Sequence, residues 1–237
     1  MTIHALARDD KDVPAFEVNG ALVIPDPSGA LYWSDERVLV VSDLHLEKGS
    51  SYARHGLVLP PYDTRSTLRV LIEVCAYWQP ERVIALGDSF HDDEAHTRLD
   101  DDDLGVFTSL VAAHDWTWIL GNHDEALPED FGGVIAEELQ IGRLTFRHEA
   151  LPLPLPGQVT GHYHPCAKVR REGRSVRRRC FMTDGVNLIM PAIGAYTGGL
   201  NVLDVAYRPH FDNGFVAWML GRDRVYPVGS ARLTPDV

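Results

Sequence analysis

Five short clusters of carboxylate, amide and imidazole side chains are the residues of this 237-residue chain that could do chemistry. In chain order they are Asp43-Leu44-His45, Gly87-Asp88-Ser89-Phe90-His91, Gly121-Asn122-His123-Asp124, His148 and Gly161-His162-Tyr163-His164. Carboxylate oxygen, amide oxygen and imidazole nitrogen together suit manganese, iron or zinc better than calcium or magnesium, which prefer sites made only of oxygen. Each cluster alone is typical of a solvated turn, so it is their conjunction that predicts a metal site.

One carboxylate of the set is placed to serve two ions. A carboxylate can bridge two metals, and Asp88 follows the middle one of three predicted strands. Asp43 and His45 follow the strand on one side, and Asn122 follows the strand on the other. Three glycines are expected to let the backbone turn tightly beside the site, namely Gly87, Gly121 and Gly161.

The segments between the clusters must position them. Apolar runs of strand length, Val38–Val41, Arg82–Leu86 and Trp116–Leu120, each end in a polar cluster. Apolar residues at helical spacing predict helices over about Tyr62–Trp78 and Asp100–His114. This alternation predicts a mainly parallel sheet in the first half, with the polar clusters at the carboxyl ends of its strands, where ligands bind.

The second half of the chain reads as a strand-rich sheet. Its predicted strands are Leu144–Phe146, Val159–Thr160, Lys168–Val169, Val176–Phe181, Val186–Met190, Asn201–Val205 and Val216–Leu220. Together the halves predict an α/β (α+β) fold, a two-layer β core flanked by helices, in a single domain over residues 1–237.

The charge of the chain is unevenly distributed. A net charge of −12 argues against a protein that binds polyanions with its whole surface. One short segment is nevertheless strongly basic, with Lys168, Arg170, Arg171, Arg174, Arg177, Arg178 and Arg179 against the single acid Glu172. Gly173 stands between two β-like runs there, which predicts a β-hairpin whose basic side chains bind a nucleic-acid backbone. The competing interpretation is that these arginines pair with acidic residues of the protein or of a second subunit.

Composition limits location and redox chemistry. The segment Met1–Asp12 carries charges where a signal peptide needs an apolar core, and no stretch approaches the ~18 apolar residues of a membrane span. We therefore expect a cytoplasmic protein without membrane contact. Cys75, Cys166 and Cys180 are too few and too scattered for a disulfide framework or a four-thiolate zinc site, and Cys75 is expected in the core.

Several other residues are given structural interpretations. Trp116 and Trp118 flank a strand and are expected in the core. The acidic run Asp100–Asp103 is expected to begin a helix, where carboxylates complement the helix dipole. Five histidines lack a motif partner and are expected in surface or capping roles, namely His4, His55, His96, His114 and His210.

The ordered motifs D-x-H, G-D, G-N-H-[DE], H and G-H-x-H resemble those of the calcineurin-like metallophosphoesterase superfamily. The resemblance implies a central two-sheet β-sandwich flanked by helices and two divalent metal ions. It implies one ion held by Asp43, His45, Asp88 and His164, and a second held by Asp88, Asn122, His148 and His162. Manganese is the expected metal, with iron and zinc as alternatives.

A closer likeness spans about residues 20–206 and is to the DNA-ligase-associated metallophosphoesterases, which are regarded as single-strand DNA endonucleases of bacterial repair clusters. It is carried by these stretches: Asp43-Leu44-His45-Leu46-Glu47-Lys48-Gly49, Leu59-Pro60-Pro61-Tyr62-Asp63-Thr64, Gly87-Asp88-Ser89-Phe90-His91, Gly161-His162-Tyr163-His164-Pro165, Arg177-Arg178-Arg179-Cys180-Phe181 and Gly194-Ala195-Tyr196-Thr197-Gly198-Gly199-Leu200. The likeness implies DNA, in single-stranded form, as the substrate, and functional association with a DNA ligase, a helicase and a nuclease.

The same resemblance assigns catalytic roles. Two-metal chemistry lowers the pKa of a water nucleophile and neutralises charge on the phosphoryl oxygens. His123 is expected to be an acid or transition-state stabiliser rather than a ligand, with Asp124 orienting its ring. His91, three residues after Asp88, is expected to contact substrate phosphate or to support a ligand.

Two other functions remain open at this point. A phosphodiesterase for a cyclic or other small nucleotide could use the same core site, because the metals read only the phosphate. A non-catalytic scaffold with the same fold is a further alternative, although such proteins usually lose ligands and every motif residue is present here. The basic segment favours a polymeric substrate over a small one.

Overall fold

The computed structural model describes residues 14–124, 127–128, 131–152, 155–211 and 214–236. Two mixed β-sheets pack face to face, and three helices cover the outer face of the first sheet. The fold predicted from the sequence, a two-sheet core flanked by helices, is confirmed.

Seven strands form the first sheet in chain order. They are β1 (Phe16–Val18), β2 (Ala21–Pro25), β3 (Leu31–Trp33), β4 (Val38–Val41), β5 (Arg82–Leu86), β6 (Asp115–Ile119) and β7 (Val134–Ala136). Neighbours from β1 to β4 run antiparallel, and neighbours from β4 to β7 run parallel. The carboxyl ends of β4, β5 and β6 therefore lie side by side, as the strand and cluster pattern predicted.

Nine strands form the second sheet. They are β8 (Glu138–Ile141), β9 (Leu144–Arg147), β10 (Gln158–Thr160), β11 (Pro165–Arg171), β12 (Arg174–Thr183), β13 (Leu188–Ile189), β14 (Leu200–Asn201), β15 (Val216–Leu220) and β16 (Val225–Gly229). Their main order is β14-β11-β12-β13-β10-β9-β8, and β15 joins β12 on one side and β16 on the other. The strand predicted over 201–205 is shorter than expected, because a 3-10 turn at Val205–Tyr207 follows β14.

The alternation of side chains along β4 shows how the layers are held. All four residues of β4 are buried, as expected of a strand covered on both faces. Val38 and Val40 face the second sheet, where they join Phe146 and Phe181 in the core between the sheets. Leu39 and Val41 point to the other face and join the core beneath the helices. The β4 run therefore belongs to two cores at once.

The helices lie over that second core. They are α1 (Lys48–Arg54), α2 (Asp63–Trp78) and α3 (Asp101–Ala112). The side chain of Asp100 accepts a hydrogen bond from the backbone N–H of Asp103 at 2.7 Å, which confirms the acidic run as the start of a helix. Cys75, Trp116 and Trp118 are buried in this core as predicted.

The C-terminal part of the chain covers the outer face of the second sheet. Tyr207, Phe211 and Leu233 pack there against Cys180 and Met182 of β12 in a third buried cluster. Among the described residues, no helix has the length and apolar character needed to cross a membrane.

Candidate metal centre

The candidate ligands come from the carboxyl ends of strands in both sheets. Asp43 and His45 follow β4, Asp88 follows β5, and Asn122 follows β6. The second sheet contributes the remaining histidines, His148 after β9 and His162 and His164 after β10. The edge of the first sheet thus meets the ends of two strands of the second, and all seven residues converge there.

A first ligand group consists of Asp43, His45, Asp88 and His164. Nε2 of His164 lies 3.0 Å from Oδ1 of Asp43 and 3.3 Å from Nε2 of His45. Asp43 is fully buried, and its other carboxylate oxygen, Oδ2, accepts a hydrogen bond from the hydroxyl of Ser42 at 2.5 Å. These contacts leave Oδ1 of Asp43 facing the two imidazoles.

A second ligand group consists of Asp88, Asn122, His148 and His162. Oδ1 of Asn122 lies 2.8 Å from Nδ1 of His162 and 3.0 Å from Nε2 of His148. Nδ1 of His148 lies 2.8 Å from the backbone carbonyl oxygen of Leu86 and donates its proton to it. This bond fixes the tautomer of His148, so that Nε2 presents a lone pair to the group.

Asp88 joins the two groups. Its Oδ2 lies 3.7 Å from Nε2 of His45, whereas its Oδ1 lies 3.5 Å from Nε2 of His148. Oδ1 also accepts a hydrogen bond from the backbone N–H of His123 at 2.9 Å. The side chain is buried. Its carboxylate directs one oxygen to each ligand group, which is the placement expected of a bridging ligand.

The spacing of these atoms fits divalent cations. Donor atoms bound to one ion at about 2.1 Å lie roughly 3.0–3.4 Å from one another, as the edges of an octahedron or tetrahedron. Nε2 of His45 and Nε2 of His164, at 3.3 Å, and Nδ1 of His162 and Nε2 of His148, at 3.2 Å, are pairs of this kind. A shared cation would satisfy facing lone pairs of these ring nitrogens, and the hard and borderline donors suit manganese, iron or zinc.

A third set of side chains could also hold an ion. Donor atoms of His45, Asp88 and His123 lie within 4.8 Å of one another, as do those of Asp43, His45 and His164 and those of Asp88, His148 and His162. His123 therefore stands at the margin of the first ligand group, and it is exposed.

The backbone at the site is held in an uncommon conformation. Five of the seven candidate ligands have a positive φ, namely Asp43 (51°), His45 (42°), Asp88 (46°), His162 (66°) and His164 (47°). Residues other than glycine adopt this region at a cost of about 1 kcal/mol or more each. Strain of this kind persists where the surrounding structure over-determines it, and such positions cluster at functional sites.

The three glycines act differently from one another. Gly87 has a φ of 72° and turns the chain as predicted. Gly121 and Gly161 do not have a positive φ, although the chain turns tightly after Gly161, where the N–H of Tyr163 donates to the carbonyl oxygen of Gly161 at 2.8 Å. A Cβ atom at Gly121 would overlap Asp88, and one at Gly161 would overlap Ser42 and Asp43. These two glycines are needed for close approach.

Burial keeps two of the ligand imidazoles, those of His45 and His162, in the neutral form that binds metal. Burial lowers the pKa of His45 to about 2 and also lowers the pKa of His162. Burial acts to raise the pKa of Asp43, but the hydrogen bond and charge of His164 outweigh it and hold that pKa below its usual value. At neutral pH His45 and His162 therefore present neutral imidazoles and Asp43 an ionised carboxylate, the protonation states of metal ligands.

The residues given catalytic roles surround the first ligand group. The ring of His123 stacks on that of His91 at 5.2 Å, and Nδ1 of His123 lies 3.0 Å from the backbone carbonyl oxygen of His91. Nδ1 of His91 lies 3.4 Å from Nδ1 of His45, behind the face that His45 turns to the group. His91 is thus placed to support a candidate ligand.

Asp124 does not orient His123, and that expectation is wrong. Its buried carboxylate accepts hydrogen bonds from the backbone N–H groups of Gly121, Asp88, Ser89 and Phe90 at 2.6–3.2 Å. It therefore pins the loop after β5 to the loop after β6. The orienting partner of His123 is the carbonyl of His91.

Sequence reasoning gave no role to several residues that support the centre. Asp63 accepts a hydrogen bond from the backbone N–H of Gly49 at 2.8 Å, and Thr64 accepts one from that of Glu47 at 2.9 Å. These bonds join two of the stretches that carry the family likeness. That likeness is the signal from which a role for Asp63 and Thr64 could have been predicted. Lys48, beside them, is half-buried, with its ammonium 5.8 Å from the ring centroid of Tyr52.

The predicted basic hairpin is present as β11 and β12. Glu172 and Gly173 form its turn with φ values of 51° and 78°, as a two-residue turn of this kind requires. Arg171 pairs with Arg174, and Ala167 pairs with Arg178. Because paired residues share a face and faces alternate, Arg171, Arg174 and Arg178 lie on one face of the hairpin.

The opposite face carries Lys168, Arg170, Arg177 and Arg179, two of which are used within the protein. The guanidinium of Arg179 donates to the backbone carbonyl oxygens of Ala192, Ile193, Gly194 and Thr197 at 2.8–3.2 Å. That of Arg177 donates to the carboxylate of Asp236 and to the carbonyl oxygen of Gly199. Of the seven basic side chains, those of Arg177 and Arg179 are therefore engaged in hydrogen bonds within the protein.

The histidines expected outside the site differ from one another. His55 and His114 bond backbone carbonyls with Nδ1, of Ser51 at 2.9 Å and of Pro80 at 3.0 Å, in keeping with capping roles, and His96 lies beside the ring of Phe131. His4 lies outside the described residues. His210 is buried, so its predicted surface or capping role is wrong.

Comparison with known proteins gives the family. The calcineurin-like phosphoesterase model matches residues 36–185, a range that contains all seven candidate ligands. No curated protein sequence matches the chain. The crystal structure of the Pseudomonas putida nuclease MPE is similar, with 25% identity and a TM-score of 0.71 over 92% of this chain and 100% of that one. Yfce, a phosphoesterase from E. coli, is 15% identical with a TM-score of 0.40 over 81% of this chain and 97% of that one.

The matched range is more than half of the chain, and the residue groups that could hold metal ions lie within it. The chain belongs to the calcineurin-like phosphoesterase family.

Proposed function

We propose that this protein is a metal-dependent phosphodiesterase that hydrolyses DNA, as an endonuclease acting on single strands. The observation that carries the proposal is the bridging placement of Asp88 between two ligand groups at the foot of a basic hairpin. The hairpin begins at Pro165, directly after the candidate ligand His164. A polymeric phosphodiester is the substrate that uses both features together.

The reaction class follows from the family and from the donor set. When bound, two divalent cations lower the pKa of a water nucleophile and offset the charge that develops on the phosphoryl oxygens. We propose manganese as the native metal. The chain itself contributes His123, an exposed imidazole beside the first ligand group, as the group that donates a proton to the leaving alkoxide.

Two findings support a nucleic-acid substrate. The similar structure from Pseudomonas putida is described as a nuclease. In addition, Arg171 and Arg174 are exposed at the tip of the hairpin, and the one carboxylate within 4 Å of either among the described residues is that of the adjacent Glu172. Planar guanidinium groups of this kind pair with phosphate and stay charged. Functional association with a DNA ligase, a helicase and a nuclease is part of the same proposal.

The decisive experiment incubates the purified protein with single-stranded circular DNA, duplex DNA and bis-p-nitrophenyl phosphate across a series of divalent metals. We expect cleavage of the circle, since a circle has no ends, with manganese the most effective metal and duplex DNA cut more slowly. Hydrolysis of bis-p-nitrophenyl phosphate without cleavage of either DNA would contradict the nuclease proposal in favour of a small-nucleotide phosphodiesterase. No hydrolysis of any substrate with any metal would favour the scaffold.

A further inference from the structure

A cavity of about 550 Å³ lies at the base of the basic hairpin and is separate from the candidate metal centre. Four arginines line it, Arg177, Arg178, Arg179 and Arg222, together with Ser28 and the backbone at Thr197 and Gly198. None of the described residues that line the cavity is Asp or Glu. In a chain with a net charge of −12, four arginines around one opening concentrate positive charge there.

The four arginines have two different tasks. Arg179 and Arg177 hold the walls, because their guanidinium groups are committed to backbone carbonyls of residues 192–199 and to Asp236. Arg178 is exposed and its Nη1 donates to the carbonyl oxygen of Arg177, with no carboxylate within 4 Å among the described residues. Arg222 is 95% exposed in its side chain, and its neighbour Asp223 approaches it only to 4.0 Å. Arg178 and Arg222 are therefore available to a ligand.

The cavity lies at the same end of the sandwich as the candidate ligands. Ser28 is in the turn before β3, and Leu31 of β3 pairs with Val40 at the carboxyl end of β4, just before Asp43. Arg222 is in the turn after β15, whose Met219 pairs with Cys180, next to Arg179. The turns that form the cavity and the loops that carry the ligands thus share one edge.

One loop, residues 191–199, connects the cavity to the metal centre. From the cavity side, the guanidinium group of Arg179 donates hydrogen bonds to backbone carbonyl oxygens of this loop. On the other side, the N–H of Ile193 donates to the carbonyl oxygen of Ser42 at 2.9 Å, and that of Gly194 donates to the carbonyl oxygen of Asp43 at 3.1 Å. The wall of the cavity is therefore fixed relative to Asp43.

We infer that this cavity binds a backbone phosphate of the nucleic-acid strand whose scissile phosphate lies at the metal centre. The inference rests on the proposed function and adds to it a second phosphate subsite, formed by Arg178 of the hairpin and by Arg222 from outside it. The volume exceeds that of a lone phosphate and is of the size that accepts a nucleotide unit. A strand bound in both places crosses the exposed loop residues Ala195 and Gly198.

The experiment compares wild type with Arg222→Gln and with the double variant Arg178→Gln/Arg222→Gln. A matched control, Arg37→Gln/Arg82→Gln, removes one exposed and one half-buried arginine at the amino ends of β4 and β5, the opposite end of the sheet. The substrates are bis-p-nitrophenyl phosphate, a dinucleotide and single-stranded oligonucleotides of increasing length, with a mononucleotide as competitor. Binding is measured by fluorescence anisotropy in chelator at several salt concentrations.

The quantity compared is the ratio of kcat/KM for long oligonucleotides to kcat/KM for bis-p-nitrophenyl phosphate. We expect this ratio to fall about tenfold in the double variant, since one charge-assisted contact is worth roughly that factor. In Arg222→Gln the ratio should fall by less. The log–log salt slope of oligonucleotide binding should fall by about 0.7, the value for one phosphate on a single strand. The dinucleotide should show a smaller change in kcat/KM than the oligonucleotides, and the control variant should show none.

Three results would overturn the inference. An unchanged ratio and slope in the double variant, with DNA cleavage by wild type intact, removes the cavity from the substrate path and leaves the proposed function standing. A second result is that the mononucleotide binds and that its binding depends on Arg222, while the effect of the substitutions does not change with oligonucleotide length. This result would assign the cavity to a small nucleotide instead. Failure of wild type to bind or cut DNA at all removes the proposed function, and the inference with it.

Discussion

The hydroxyl group of Tyr163 lies 3.0 Å from Nε2 of His210, a contact that joins the turn between two candidate ligands to the C-terminal part of the chain. Tyr163 stands between His162 and His164, both of which have positive φ. The hydroxyl of Tyr207 also donates to the carbonyl oxygen of Tyr163 at 3.2 Å. Residues 207 and 210 lie beyond the range of the family model, yet they hold this strained turn.

We therefore expect His210→Ala to weaken metal binding about tenfold, because groups that position metal ligands typically contribute that much to affinity. Titration of the metal-free protein with Mn²⁺, followed by calorimetry, measures the effect. His210→Gln, which can still bond the tyrosine hydroxyl, should restore most of the affinity, and His114→Ala, at the amino end of β6, is the control. Equal affinity in His210→Ala and wild type would show that the turn holds itself.

A second prediction concerns the bridge. Asp88→Ala should abolish hydrolysis and reduce bound metal, because one carboxylate oxygen is directed to each ligand group. Elemental analysis of the purified variant measures the metal, and Asp93→Ala, at an exposed position five residues along, is the control. A variant that retained both ions and near-normal turnover would show that Asp88 is not the shared ligand.

A third prediction concerns His123. His123→Ala should keep its metal and lose roughly 10²–10⁴ in rate on DNA, whose leaving group is an alkoxide that needs a proton. Hydrolysis of bis-p-nitrophenyl phosphate should lose less, since p-nitrophenolate leaves without protonation. Equal losses on the two substrates would argue against proton donation and for electrostatic stabilisation, and loss of metal would make His123 a ligand of the third group.

A fourth prediction concerns acid stability. Two hydrogen bonds from Arg98, at 2.7 and 2.9 Å, lower the pKa of Asp92 to about 2 from 3.8. A carboxyl group with a depressed pKa stabilises the fold above its unfolded pKa, and the contribution is lost as pH falls through 3.8 toward about 2. Arg98→Gln should therefore lower the free energy of unfolding by about 1–2 kcal/mol near neutral pH, after allowance for the partial exposure of Asp92.

The difference between wild type and Arg98→Gln should shrink below about pH 4, as measured by urea unfolding at a series of pH values. Arg54→Gln, which removes an exposed pair with Glu94, is the control and should change stability little. A difference that stayed constant down to about pH 2 would show that the stabilisation comes from packing of the Arg98 side chain rather than from the charge of Asp92.

A fifth prediction concerns the free face of the hairpin. Neutralising Arg171, Arg174 and Arg178 together should weaken single-stranded DNA binding and lower its log–log salt slope by about 2, at about 0.7 for each lost phosphate contact. A triple variant at Arg37, Arg69 and Arg82 makes the same change of charge on a remote surface. Should affinity and slope match those of this control, the arginines would not bind DNA, and the small-nucleotide substrate would gain support.

The chemistry of the centre and the location of its parts could be predicted from the sequence. The apolar runs before Asp43, Asp88 and Asn122 are local patterns, and local patterns determine where strands end. Parallel strands then bring their carboxyl ends to one edge, so convergence of the first three clusters follows from topology. Whether a side chain can donate to a metal depends on its residue type, which is read directly from the sequence. The order of the motifs that carry these donors therefore predicted the family.

Contacts between residues far apart in the chain could not be predicted, because no local pattern encodes them. Cross-strand register placed Arg171 and Arg174 on one face at the exposed tip of the hairpin, while packing against the loop after β13 committed Arg179 to backbone carbonyls. The same holds for His210, which is buried because the C-terminal segment folds over the second sheet and brings it to Tyr163. The sequence by itself thus determined which groups could bind metal and on which loops they lie. The tertiary structure decided which atoms face one another and which charged groups are left for a substrate, since these two outcomes depend on packing between distant segments.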